Sequence, residues 1–231
     1  MSRRARGVFV SGTDTGVGKT VVACALLRAL RERGIDAAGM KPIETGVGLA
    51  GPLDALALCE AAGGGDPLDD VCPQRFALPA APAVAAAHEG RAVDLAAVRS
   101  AFDRLAARHD FLVVEGAGGL LVPLAEKQDM ADLARELDLP LLLVARGALG
   151  TINHTRLALG CAERRGLRLA GVVVSHGPDP LSAAYAANLS WLRRELGERL
   201  VGELPPLADR ERVALEALRL DEILARLSPS S

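Results

Sequence analysis

The side chains best suited to act on a polyanion in this 231-residue chain are Lys41 and Glu115, each just beyond a short apolar run, and Lys19, at the end of the Gly-rich stretch that follows another. Lysine is scarce. Of 27 basic residues only Lys19, Lys41 and Lys127 are lysine, and the rest are arginine. A drift of Lys codons to Arg explains the bias and makes the retained lysines informative, because a compact ammonium and a planar guanidinium are not interchangeable at a tight phosphate site. Lys19 closes the run Ser11-Gly-Thr-Asp-Thr-Gly-Val-Gly-Lys-Thr20. The ending Gly18-Lys19-Thr20 is that of a P-loop. Backbone N–H groups of Thr13, Asp14, Thr15, Gly16, Val17 and Gly18 converge on phosphate there, and the helix opened by Lys19, Thr20 and Val21 adds its positive end. Lys19 reaches the β- and γ-phosphates of a nucleotide such as ATP, and the Thr20 hydroxyl serves Mg²⁺. Five residues separate Gly12 from Gly18, where the ordinary motif has four.

The remaining candidates also follow apolar runs. Lys41 ends the second run, in Met40-Lys41-Pro42-Ile-Glu-Thr45-Gly46, where an ammonium neutralises phosphate or carbamate charge. Asp54 opens a short helix and reads by itself as an N-cap. Glu115 ends Phe111-Leu-Val-Val and precedes Gly116-Ala117-Gly118-Gly119. An acid in that place serves Mg²⁺ directly or through water, and the small residues after it admit a ligand to the backbone. Gly150-Thr151-Ile152-Asn153 starts a helix whose free amides suit a carboxylate. Ser175-His176 and Pro205-Pro206-Leu207 lie in loops beyond the last two strands, at the edge where a nucleotide base would sit. His88 and His109 read as surface residues.

These residues need a scaffold that brings strand ends together. Val/Leu-rich strands alternate with amphipathic helices, which predicts an α/β fold of the P-loop NTPase type: a single domain over residues 1–231, with a mostly parallel sheet covered by helices on both faces. Strands are expected at 7–11, 37–41, 111–115, 140–145, 170–174 and 200–204. Helices are expected at 19–33, 53–62, 95–108, 129–137, 151–165, 181–196 and 211–227. Residues 66–90, rich in proline, read as loop, and residues 1–6 and 228–231 as frayed ends. Ligands of such a sheet gather at the carboxyl ends of the strands. Lys+Arg of 27 against Asp+Glu of 29 gives a net charge of −2, which counts against a nucleic-acid partner. No apolar run reaches the ~18 residues of a membrane span. The scattered Cys24, Cys59, Cys72 and Cys161 fit reduced thiols in the cytoplasm.

Taken together, Gly12 to Thr20, Lys41-Pro42, Thr45-Gly46, Asp54-Ala-Leu-Ala-Leu, Val113-Val-Glu-Gly-Ala-Gly-Gly119 and Leu149-Gly-Thr-Ile-Asn-His154 resemble the dethiobiotin synthetase family over nearly the whole chain. The longer P-loop is that family's form. The resemblance implies a homodimer that joins CO₂ or bicarbonate to 7,8-diaminopelargonate with a nucleoside triphosphate and closes a cyclic urea. It implies that Lys19 and the loop amides hold phosphates, and that Thr20, Asp54 and Glu115 hold Mg²⁺, reversing the cap reading of Asp54. Lys41 then stabilises the carbamate and the transferring phosphoryl group. Thr45 and the Gly116, Ala117 and Gly118 backbone meet the diamine. Gly150, Thr151 and Asn153 of the partner subunit, with Tyr185, take the substrate carboxylate. Two positions depart from the family pattern: Gly16 replaces Glu, and Ser175 replaces the Asn that reads adenine. A single hydroxyl cannot make the two-point contact of an amide, so weaker discrimination for ATP is expected. The alternatives are a P-loop ATPase switch and a small-molecule kinase. Against the switch stands Asp14, which occupies the place of the second, signature lysine of some dimerising P-loop ATPases.

Overall fold

The structure is a computed structural model that describes residues 6–176, 182–204 and 218–227. Along the chain the elements are β1 (Gly7–Gly12), α1 (Lys19–Glu32), β2 (Ala37–Met40), β3 (Ile43–Thr45), α2 (Leu53–Ala62), α3 (Leu68–Val71), β4 (Gln74–Phe76), α4 (Pro82–His88), α5 (Leu95–Arg108), β5 (Phe111–Gly119), β6 (Pro123–Ala125), β7 (Gln128–Asp129), α6 (Met130–Glu136), β8 (Leu141–Gly147), α7 (Thr151–Arg164), β9 (Leu169–His176), α8 (Ala183–Leu196), β10 (Leu200–Leu204) and α9 (Leu220–Leu227). Six strands form one sheet in the order β10-β9-β8-β1-β5-β2, and every neighbouring pair is parallel. All their carboxyl ends therefore meet at one rim.

Non-alternating strands require cover on both faces, and the chain supplies it. Phe9, Leu112 and Val114 point into a core shared with α5, α6 and α8. Val8, Val10 and Val113 point into the opposite core, built with α1, α2 and α9. Gly39 of β2 sets the approach of α2, since a Cβ there would lie 2.8 Å from Leu58 Cβ and 3.0 Å from Leu27 Cδ1.

Residues 66–90 depart from the loop expected of them. They hold α3, β4 and α4. The prolines start elements here. Pro67 is the N-cap of α3 and Pro82 is the first residue of α4, a position where the missing N–H costs nothing. β4 has no periodicity of its own and exists by pairing in parallel with β3, Ile43 opposite Gln74. Four strands run further than expected, β1 to Gly12, β5 to Gly119, β8 to Gly147 and β9 to His176, so Ser175 and His176 are strand residues. The helix expected at 211–227 is described only as α9, and residues 211–217 lie outside the described residues. His109 is not a lone surface residue. Its ring joins Asp36 at 2.8 Å and Asp66 at 3.2 Å.

Gly39→Ala should therefore push α2 off β2. Overpacking of this kind costs about 1–3 kcal/mol, read as a lower denaturant midpoint at unchanged slope. An unchanged midpoint would mean that α2 yields freely.

Candidate active site

β1 delivers the chain to the rim at Gly12 and α1 starts at Lys19, so the loop between them must fold back over the sheet edge. Gly16 and Gly18 take left-handed backbone, with φ of 70° and 94°, a conformation that strains other residues. Gly18 is also enclosed: a Cβ there would lie 2.8 Å from Ser175 Oγ, which sets Ser175 against the loop. Gly18 is the N-cap of α1, makes no side-chain cap, and no acid occupies the first turn. The first amides and the positive end of α1 are thus left to an anion. The Thr13 amide donates to Val144 O at 2.9 Å, and Thr13 Oγ1 accepts from the Arg146 amide at 3.0 Å, which pins the loop to β8. Asp14 Oδ1 accepts from the Thr15 amide at 2.7 Å. Lys19 Nζ donates to the Asp14 carbonyl at 3.1 Å. Burial lowers the Lys19 pKa from the usual ammonium value, against the opposing pull of Glu115.

Sheet register then fixes the second cation. Met40 pairs with Val114, so the residues that follow, Lys41 and Glu115, emerge side by side. Lys41 Nζ donates to Glu115 Oε1 at 2.5 Å and to Asp54 Oδ2 at 2.7 Å. Thr20 Oγ1 lies 3.0 Å from both Asp54 Oδ1 and Glu115 Oε1. Lys41 is 4% exposed and Glu115 1%. Burial alone would lower the Lys41 pKa, but the charges of Glu115 and Asp54 outweigh it and hold the ammonium above its ordinary value. Burial likewise works against the Asp54 carboxylate, and Lys41 reverses that, leaving its pKa below the usual carboxylate range.

Asp54 is not a cap. It is the second residue of α2, whose N-cap is Pro52, and its side chain is turned to Lys41 and Thr20. The amides of Asp54 and Ala55 are taken instead by Glu44, at 3.1 and 2.9 Å. Glu44 stands on β3 and is buried. Burial raises its pKa, partly offset by the Ala55 and Asp54 amides. No local pattern announces Glu44, because its partners are set by where β3 meets α2.

One cleft of about 640 Å³ gathers most of the expected residues: Thr15, Gly16, Gly18, Lys19, Thr20 and Val21, then Lys41, Thr45, Asp54, Glu115, Ala117 and Gly118. Val17 packs its side chain into the core, and Gly116 lies against the Phe9 ring. Gly150 and Asn153 line a separate surface groove of about 580 Å³ with Arg156, Leu157 and Asn188. Thr151 is buried there with its hydroxyl unpartnered. His176 and Tyr185 line neither. Tyr185 Oη lies 2.7 Å from His176 Nδ1, and His176 Nε2 lies 2.7 Å from Glu203 Oε1. Arg193 donates to both Glu203 oxygens, at 2.5 and 2.9 Å. Burial pushes the Glu203 carboxyl up, and the hydrogen bonds from His176 and Arg193 overcome it and hold it at about 2. This chain of hydrogen bonds, which ties α8 to the ends of β9 and β10, has no sequence signal. Pro205, Pro206 and Leu207 lie outside the described residues.

The geometry places two ammonium groups, a hydroxyl and two carboxylates around the mouth of an anion-binding loop, and comparison with known proteins narrows its meaning. A family described as an AAA domain matches residues 6–214. An ATP-dependent dethiobiotin synthetase BioD of Anaeromyxobacter dehalogenans strain 2CP-C is 56% identical over 191 residues, which cover 80% of this chain and 86% of that one. The protein of that name from Aromatoleum aromaticum is 44% identical over 220 residues, covering 93% and 97%. Among solved structures, the MinC:MinD cell division complex of Aquifex aeolicus matches with a TM-score of 0.58 at 14% identity, covering 98% of this chain and 97% of that chain. A ParA family ATPase from Chlorobium tepidum TLS matches with a TM-score of 0.53 at 13% identity, covering 97% and 95%. The structural likenesses establish the P-loop fold alone, whereas the sequence likenesses extend across it, and on their strength the chain belongs to the ATP-dependent dethiobiotin synthetase family.

Proposed function

We propose that this protein joins CO₂ to 7,8-diaminopelargonate with ATP and Mg²⁺ and closes the ring to dethiobiotin, acting as a cytoplasmic homodimer. The observation that carries the reading is Lys41, a buried ammonium held by Glu115 and Asp54 in a cleft lined by both the P-loop and Thr45. One amine of the substrate adds to CO₂, forming a C–N bond and releasing a proton. A carbamate oxygen attacks the γ-phosphorus and ADP departs. The second amine then attacks the carbonyl carbon, and phosphate leaves with the ring closed. Two anions must meet in the second step. Lys19 and the first amides of α1 hold the phosphates, and Lys41 supplies positive charge between the carbamate and the transferring group.

The donor set suits Mg²⁺. Thr20, Asp54 and Glu115 offer hard oxygen ligands, and Glu115 Oε2 is buried with no hydrogen-bond partner. Mg²⁺ ordinarily keeps waters and nucleotide phosphates as its other ligands. When bound, the ion neutralises phosphate charge. Thr45 and the Gly118 backbone are assigned to the diamine end. The substrate carboxylate is assigned to the α7 N-terminus of the partner subunit. In support, α7 begins at Gly150 with no side-chain cap and no acid in its first turn. The exposed Leu149 and Leu157 beside it suit an apolar contact between subunits.

Phosphate release from ATP should require both the diamine and bicarbonate. Lys41→Ala should lower it by about 10²–10³-fold, the scale for loss of one electrostatic contact to the transition state, with a thermal melt run alongside to register the unpaired carboxylates. Steady hydrolysis indifferent to the diamine would return the chain to a switch or a kinase. Because Ser175 offers one hydroxyl toward the loop, rates with ATP, GTP and CTP at matched concentration should differ by less than about tenfold, below the ~1.4 kcal/mol that a single good contact supplies. A strong preference for ATP would refute this.

A further inference from the structure

The geometry points to Glu44 as the positioning residue that holds Asp54 at the metal site, by capping α2 from outside the helix. The inference rests on the metal role proposed for Asp54. The first amides of a helix have no partner within it, and an N-cap side chain ordinarily takes those of the second and third residues. In α2 those two residues are Asp54 and Ala55, and the N-cap is Pro52, which makes no side-chain cap. Glu44 fills the gap from β3. Its Oε1 accepts from the Asp54 amide at 3.1 Å and its Oε2 from the Ala55 amide at 2.9 Å. Both oxygens are engaged, and the residue is 7% exposed.

The demand for such a device comes from Asp54 itself. Its side chain is 41% exposed, and it sits in the first turn, where helices fray. Yet its two oxygens must meet Lys41 and Thr20, which come from β2 and α1. Glu44 closes this circuit through a short path: it is three residues beyond Lys41 on the same strand-to-strand segment, and it grips the backbone of the residue whose side chain Lys41 binds. The segment from the end of β2 into β3 thus presents both the ammonium and the anchor for its carboxylate partner. Loss of the anchor frees the first turn of α2 and loosens one carboxylate of the metal site without touching the P-loop.

The test compares Glu44→Ala, Glu44→Gln and Asp54→Asn with the wild type. Mn²⁺ binding is followed by electron paramagnetic resonance with a non-hydrolysable ATP analogue, and the analogue's own affinity is measured in EDTA. Glu44→Ala should weaken Mn²⁺ binding by about 10–100-fold, the range for loss of a group that orients a metal ligand, with nucleotide affinity in EDTA unchanged. Glu44→Gln, which keeps one acceptor, should fall between. Unchanged Mn²⁺ affinity in both Glu44 variants while Asp54→Asn loses it would overturn the role of Glu44 alone. Unchanged affinity in Asp54→Asn would overturn the metal role of Asp54 and this inference with it. Should Glu44→Ala fail to fold, hydrogen exchange on the wild type still decides: the Asp54 and Ala55 amides must be protected despite lying in a first turn, and fast exchange would refute the cap.

Discussion

A buried ammonium organises the rim of this sheet. Lys41 is almost wholly removed from water, and an isolated charge in that state is too costly to keep. It persists because Glu115 and Asp54 arrive at hydrogen-bonding distance from two other elements. Each arrival has its own structural cause. Glu115 comes by strand register, since Met40 lies opposite Val114. Asp54 comes because Gly39 lets α2 settle on β2. Thr20 links the cluster to the P-loop from the first turn of α1. Removing one member leaves an unpaired charge in a poor solvent, which costs more than the pair contributes. The residues that carry chemistry are therefore also the ones that lock β2, β5, α1 and α2 to one another.

Helix starts divide into two kinds. Three helices are capped by their own sequence: Asp94 caps α5, Asp129 caps α6 and Ser182 caps α8, each by a side-chain acceptor. The starts of α1 and α7 have no side-chain cap, with Gly18 and Gly150 as N-caps in left-handed backbone. These two helices follow β1 and β8, which are neighbours in the sheet. Neither start offers a side-chain acceptor or a first-turn acid to its helix amides, and both lie along one rim. Bare N-termini attract anions, and the proposed substrates carry anions at both ends, a triphosphate and a carboxylate.

Much of this was legible in the sequence, because the fold converts strand ends into site positions. Lys19, Lys41 and Glu115 could be found from the apolar runs that precede them, with no knowledge of contacts. Asp54 could not, since its neighbours describe an N-cap equally well, and only packing of α2 against β2 turns its side chain toward Lys41. Glu44 was silent for the same reason. The chain Tyr185–His176–Glu203 joins three elements that follow one another, β9, α8 and β10, but no periodicity marks it. The strand β4 also escaped, because three residues have no pattern until β3 lies beside them.

The fold is shared with MinD and ParA proteins at 13–14% identity, so the sheet by itself does not specify an activity. Under the proposed function, what distinguishes this chain is where positive charge is added to the P-loop. Some dimerising P-loop ATPases add a second lysine within the loop, at the place occupied here by Asp14, whose carboxylate instead receives the Thr15 amide and faces Arg146. In this chain the second ammonium comes from the end of β2, and the element that follows it bears Thr45 in the same cleft. A lysine at the loop can serve only the nucleotide. A lysine at the end of β2 shares one cleft with both the P-loop and Thr45, and under the proposed function charge in that position can stabilise a bond forming between nucleotide and substrate.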